Sequence, residues 1–509
     1  MNQNFLQPHR FVLTPISPIH IGCGLDYEPT NAVIDEDRGF LYSFNPGVVA
    51  LTADERRQLL AAVSKGDIRD VNAFYDRNIA LFRPWADNIV PVCGKAVYQY
   101  RKMLNPQGNQ KNTQFCFQRM ISSRAGEAPL PMIPGSSVKG MISTALQDRL
   151  NGGRDIDAKE AKGLLGGDFD KSPLRFLKVG DFESSGTGVA ARIYYAVRLF
   201  KKDAAYAGKF SGFEAVVPGG YRQFTGDVVL THAQNTKGVK NVYEDAARIL
   251  KDLHAYSSAV MMSQLVFYKK AAPLWLESVA RLLKAIEPAF ESGRAALVRL
   301  GKNNGRESKT LHCVDEDTMP GLFKVGALTA FITSDTEATC DAQPFGWAIL
   351  EVDPQEDLTA LKSWCVKSKL GDFSGAVAAE WRSVEAERAE RRKVVDAAAA
   401  VEAEREARRR QEEREAEERE RAKAEMTPEG RSIVELCEAL KRAPGTVKPG
   451  TDLFIRTKTL LEAAQAWTNA VDKKTLADSI QPLLKAKDMY QGKAGKNFKQ
   501  QLRQLRGEA

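Results

Sequence analysis

The stretch Ile133-Pro134-Gly135-Ser136-Ser137-Val138-Lys139-Gly140 decides how this chain is read. Pro134 and Gly135 end an extended segment, and Ser136 or Ser137 is placed to cap a helix. Val138, Met141, Ile142, Ala145 and Leu146 then recur at helical spacing. A glycine turn thus presents backbone N–H groups at a helix N-terminus, beside two hydroxyls and the Lys139 ammonium. That combination holds phosphate. It is not a nucleotide-binding P-loop, which needs Ser or Thr directly after the lysine; here Gly140 follows Lys139. Alone, the stretch reads first as an ordinary capped helix, so its company matters.

Three other stretches keep that company. Leu13-Thr14-Pro15-Ile16-Ser17-Pro18-Ile19-His20-Ile21-Gly22-Cys23-Gly24 runs from a short strand through prolines to a histidine and two glycines. Arg299-Leu300-Gly301-Lys302-Asn303-Asn304-Gly305-Arg306-Glu307-Ser308-Lys309-Thr310 is a basic, glycine-rich loop, with Gly301 to Thr310 as its core. Pro344-Phe345-Gly346-Trp347 is a turn feeding an apolar strand through Val352.

In this order, the four stretches resemble the RAMP superfamily of CRISPR proteins (repeat-associated, RNA-recognition-like), and within it the subunit-five type of the type III-A (Csm) effector complex. The family pattern is TPxHIGxG, then IPGSSxKGxxRxAL, a basic glycine loop and PxGW. Here Ser17-Pro18 looks like a small insertion in the first motif, and Ser143 stands where arginine is common. The resemblance covers about residues 8 to 355. It implies a non-catalytic RNA-binding subunit that caps the 3′-proximal end of the guide RNA and docks on backbone RAMP subunits. It further implies help in guide maturation beside a separate host nuclease.

The chain has 509 residues, which suggests about three domains, and 43% hydrophobic residues, enough for packed cores. Its net charge of +8 suits an anionic partner and equally suits simple solubility. Seven scattered cysteines without a CxxC pair argue for reduced thiols and against a disulfide framework or a zinc site. No apolar leader and no apolar run of about 18 residues is present, so a cytoplasmic, non-membrane protein is expected. No cofactor and no metal is expected.

The predicted fold class is α+β: tandem ferredoxin-like, RNA-recognition-type units, then a long charged helix and a small helical C-terminal module. Residues 1–183 read as the first unit, with strands at 10–14 and 176–181 and a hairpin around Asp35-Glu36-Asp37. Residues 184–355 read as a second, degenerate unit with a helical insertion broken near Pro273, and 356–379 as a linker. Residues 380–426 carry 13 basic and 15 acidic residues with no Gly or Pro. Pairs such as Glu387/Arg391 and Glu404/Arg408 predict a solvated helix acting as a spacer. Residues 427–509 read as a basic helical module with 15 Lys and Arg against 9 Asp and Glu, outside the family pattern.

The candidate RNA-binding residues are His20, Gly22, Gly24, Gly135, Ser136, Ser137, Lys139, Gly140, Gly301, Lys302, Gly305, Arg306 and Lys309. The glycines would admit a ribose-phosphate backbone closely, and the lysines would act as point charges. His20 is also the one candidate for metal-independent RNA cleavage, as a general acid or base working with a 2′-hydroxyl. Its plainer reading is a ribose contact or a loop-fixing hydrogen bond. Tyr98, Tyr100 and Arg101 could stack single-stranded bases or sit in a core. The acidic turns at 35–37 and 315–317 and the pair His312-Cys313 read as solvated loops. A third reading makes residues 380–509 a scaffold recruiting a partner.

Overall fold

A computed structural model of the chain describes residues 5–104, 116–123, 129–154, 156–167, 169–184, 191–200, 211–232, 243, 245–305, 307–311, 328–333, 342–368 and 373–508. Two compact units result, Met1–Asp396 and Ala397–Ala509.

The first unit is built on a six-stranded antiparallel sheet. Its first strand, Leu6–Pro15, lies between Phe224–Thr231 and Trp347–Val352. Leu177–Val179 and Glu183–Ser184 pair on the far side of Phe224–Thr231, and Ala295–Arg299 closes the other edge. Strands on either side of a common antiparallel neighbour run parallel to each other. The first strand, the helix Gly135–Asn151 and Leu177–Val179 therefore form a split β-α-β. So do Phe224–Thr231, the helix Ala246–Ala271 and Trp347–Val352. Two interlocked split units make a ferredoxin-like sheet.

Burial explains the pairing. Along Phe224–Thr231 inward residues alternate, with Phe224, Val228 and Leu230 buried. They share one core with Val138, Ile142 and Leu146 of the first helix and Ile249, Leu253 and Val260 of the second. Pro273 opens a new helix, as the sequence break there suggested.

A second six-stranded sheet runs Gln343–Pro344, Leu328–Thr333, Ala191–Phe200, Ser211–Val216, Phe117–Met120 and Gly22–Tyr27. The hairpin expected around residue 37 forms as Ala32–Asp35 with Phe40–Phe44, and Ala86–Pro91 extends it. Both six-stranded sheets draw strands from each side of residue 183. The boundary expected there does not coincide with a break between sheets, because the ferredoxin-like order needs the N-terminal strand in the middle.

The charged helix spans Phe373–Glu425, 53 residues, and starts earlier than its composition suggests. Its first half is not a solvated spacer. Val384 is fully buried, and Glu380 accepts hydrogen bonds from Arg38 Nη1 and Tyr42 Oη, each at 2.8 Å. Glu387 binds Arg83 at 2.7 Å and Arg391 binds Glu55, so the two partners expected to pair within the helix both reach the hairpin layer instead. Past this segment pairing one turn apart does occur, but Arg408 pairs with Glu412 and not with the expected Glu404, and Arg421 pairs with Glu425.

The second unit ends in four helices, Pro428–Arg442, Asp452–Ala464, Ala470–Ala486 and Gly492–Arg506. They enclose their own core, including Leu436, Leu440, Leu461, Ile480, Phe498 and Leu502. No helix among the described residues is long and apolar enough to cross a membrane.

Replacing Glu380 with Ala strips Arg38 and Tyr42 of a shared, nearly buried acceptor. The expected cost is about 3 kcal/mol, read as a lower thermal midpoint and faster amide exchange over residues 377–391.

Candidate nucleic-acid interface

The three distant glycine motifs are laced together by backbone hydrogen bonds. Ile16 and Ser17 N–H both donate to the Trp347 carbonyl, and Trp347 N–H donates back to Ser17 Oγ at 2.8 Å. Gly346 N–H donates to Pro18 O at 2.8 Å, and Leu300 N–H to Gly346 O at 3.0 Å. Lys302 N–H donates to His20 O at 2.8 Å. Gly301 makes that last contact possible. Its φ is +87°, and a Cβ there would stand 2.5 Å from the His20 carbonyl oxygen.

The segment 20–22, the basic loop and the Gly135–Asn151 helix border a cleft of about 430 Å³, and the Trp347 turn supports it from outside the lining. Gly22 forms one margin; Ser137, Gly140 and Thr144 line it from the helix. Gly301, Lys302 and Lys309 line it from the basic loop, with Asn304 and Ser308 between them. Six candidates from the sequence, Gly22, Ser137, Gly140, Gly301, Lys302 and Lys309, therefore meet in one place. Lys302 Nζ also reaches Gln118 Oε1 at 2.5 Å.

A cation overlooked in the sequence joins them. Arg299 is 4% exposed yet lines the cleft. Its Nε donates to Phe345 O at 3.2 Å, Nη1 reaches Gln264 Oε1, and the guanidinium lies 4.8 Å from the Trp347 ring. Its Nη2 has no hydrogen-bond partner among the described residues, and neither has Asn304 Oδ1. Burial pulls the guanidinium pKa down from its ordinary value, opposed by Tyr268 and Glu307. The signal was legible: an arginine that ends the apolar run Ala295-Ala296-Leu297-Val298 and heads the basic stretch leading into Gly301.

Other candidates have structural tasks. His20 is fully buried, edge-on to Phe213, and its Nδ1 donates to the Glu214 carbonyl at 2.6 Å. That bond places the proton on Nδ1 and leaves Nε2 without a partner beneath Gly22, where a Cβ would stand 3.3 Å away. Burial lowers its pKa to about 4, so the ring is neutral and enclosed. This is the loop-fixing arrangement, not a general acid or base open to solvent.

The start of the Gly135–Asn151 helix also differs from expectation. Pro134 is the N-cap, with no side-chain capping bond from either serine. Gly135 N–H instead donates to Asp181 Oδ1 at 2.7 Å, so a carboxylate already occupies the phosphate position. Lys139 Nζ donates to Leu177 O at 2.8 Å and holds the neighbouring strand. Gly135 is needed for close approach, since a Cβ would lie 2.4 Å from Val179 O. Ser136 is exposed, and Gly24 and Gly305 lie outside the cleft lining. Arg306, His312-Cys313 and residues 315–317 lie outside the described residues.

Tyr100 is core, and Arg101 is held by Glu36 and by Asp76 at 2.7 Å, so neither offers a stacking face. Tyr98 is exposed. Behind the cleft, the buried Glu214 carboxylate accepts Tyr27 Oη at 2.8 Å and Met120 N–H at 2.9 Å; burial pushes its pKa up. No group of three or more His, Cys, Asp or Glu among the described residues is arranged to hold a metal ion.

No family model matches the chain, and no curated protein matches it. Among solved structures, a chain of the Csm–crRNA–target RNA ternary complex of a type III-A CRISPR-Cas system aligns with TM-score 0.44 and 16% identity, covering 68% of this chain and 100% of that one. The crystal structure of T. onnurineus Csm5 aligns with TM-score 0.38 and 15% identity, covering 67% and 99%.

Two outcomes test the geometry. Gly135→Ala should cost about 1–3 kcal/mol through overpacking against the Val179 carbonyl, seen as a lowered melting midpoint. His20 binds its proton near pH 4 folded and near its ordinary 6.5 unfolded, so its stabilising share is complete above 6.5. As pH falls from 6.5 towards 4 the unfolded chain takes the proton first, and stability drops by up to about 1.4 kcal/mol per pH unit. His20→Gln should flatten that part of the decline in a series of melts.

Proposed function

We propose that this protein is a non-catalytic RNA-binding subunit of a type III-A CRISPR effector complex, holding the 3′-proximal end of the guide RNA and docking on backbone RAMP subunits. The observation that carries the reading is the convergence of Gly22, Gly140 and Gly301 with Arg299, Lys302 and Lys309 around one cleft. The ordered motifs supply the assignment to that class; the cleft supplies a mechanism.

Three glycines without side chains let a ribose-phosphate backbone approach the main chain. Lys302 and Lys309 neutralise phosphates as exposed point charges. Arg299 adds a fixed positive charge at the cleft wall from a buried and preorganised guanidinium. Ser137, Thr144 and Ser308 offer hydroxyls to the 2′-OH that distinguishes RNA. None of these groups reads a base edge, so sequence recognition falls to pairing between guide and target. The enclosure of His20 supports a binding role without cleavage.

Binding of labelled single-stranded RNA, titrated across salt, tests the reading. Lys302→Ala and Lys309→Ala should each weaken unrelated sequences equally and lower the salt slope by about 0.7. Arg299→Met should weaken binding more than either lysine change. Repeat RNA should stay intact with the parent protein; cleavage products lost only in His20→Ala would overturn the non-catalytic assignment.

A further inference from the structure

The last helix, Gly492–Arg506, carries five cations and no carboxylate. Its residues sort by helical period into two faces. Gly495, Phe498, Leu502 and Leu505 are buried in the core of the four-helix module. Lys493, Lys496, Lys499, Arg503 and Arg506 fall within one arc of roughly 140° on another side. The first four are exposed.

Two of these cations are engaged. Arg506 pairs with Asp478 at 2.8 Å, and Lys499 stands 5.1 Å from the Tyr490 ring. The side chains of Lys493, Lys496 and Arg503 have no hydrogen-bond or ion-pair partner among the described residues. The long helix earlier in the chain is built differently. There Arg408, Arg409 and Arg421 each meet a glutamate one turn away. In the last helix the one-turn neighbours are like charges: Lys493 with Lys496, Lys496 with Lys499, Lys499 with Arg503, Arg503 with Arg506. Each such pair opposes the helix by about 0.2–0.5 kcal/mol. A polyanion lying along the face would reverse that sign.

The rest of the face says which polyanion. Its other exposed residues are Asn497, Gln500 and Gln504, amide donors with no large apolar side chain among them. A membrane surface would need an apolar wedge to bury, and a protein partner an aromatic or aliphatic anchor. A nucleic-acid backbone needs only cations at regular intervals and neutral donors between them. We infer that the outer face of Gly492–Arg506 is a second binding site for a nucleic-acid strand, held through its phosphates without regard to sequence. It belongs to a compact unit with its own core and stands independently of the cleft.

The test uses the full chain and labelled oligo(U) RNA titrated across salt. Lys493→Gln, Lys496→Gln and Arg503→Gln combined should lower the salt slope by about 2, three contacts at about 0.7 each. The same loss is expected in a background carrying Lys302→Ala and Lys309→Ala, which removes the cleft lysines. An unchanged slope in both backgrounds overturns the inference and leaves the cleft reading standing. A slope lowered only by the tail changes supports it and removes the cleft reading. Displacement of the RNA by polyglutamate at equal charge concentration overturns it by making the face a generic anion binder. Glutamine keeps helix propensity, so far-UV circular dichroism should be unchanged. If the triple variant is unfolded, Lys496→Gln alone must lower the slope by about 0.7, and no change again overturns the inference.

Discussion

One backbone contact organises the first unit: Lys302 N–H on the His20 carbonyl, with Gly301 pressed against the same oxygen. It joins the exit of the central strand to the basic loop after the edge strand. The Gly346-to-Pro18 bond joins both to the turn before Trp347. A side chain at 301 would drive the loop outward, and Arg299, Lys302 and Asn304 would lose their common frame. The cleft follows from that seam, because its cations hang from a loop that cannot relax.

The seam leaves polar atoms without partners. Arg299 Nη2, Asn304 Oδ1, Asn303 Nδ2 and His20 Nε2 are all buried and unsatisfied among the described residues. Each such atom costs about 1–3 kcal/mol unless something meets it. Two of the four belong to residues lining the cleft, which is where an incoming strand would supply acceptors and donors. Beneath them the Glu214 carboxylate, fed by Tyr27 Oη and Met120 N–H, fixes the edge of the second sheet that presents Gly22.

Much of this was legible in the chain. The helix after Gly135, the hairpin around residue 37, the break at Pro273 and the helical tail follow from periodicity and punctuation. The convergence of glycine motifs was also expected. What sequence could not show was which donors were already spoken for. Asp181 at the Gly135 N–H, and Leu177 O on Lys139, are contacts between segments some forty residues apart, invisible to local pattern. The charged helix misled for a related reason: Glu387 and Arg391 are spaced to pair with each other, yet buried Val384 pulls that face onto the hairpin layer and Arg83 and Glu55 outcompete. Arg299 heads the basic stretch in sequence but was not among the candidates, because its burial against Trp347 and Gln264 comes from contacts distant in the chain.

The order of strands in the main sheet has a consequence for biosynthesis. Leu6–Pro15 is synthesised more than three hundred residues before one of its two neighbours, Trp347–Val352. Until then the central strand has an open edge. Contacts of such long range make for slow closure, and an unpaired edge invites pairing with other chains. Pro8 within that strand, and the prolines at 15 and 18 that end it, are residues that blunt such pairing. The nascent protein thus carries, within that strand, a brake on premature association while the neighbouring strand is still to be made.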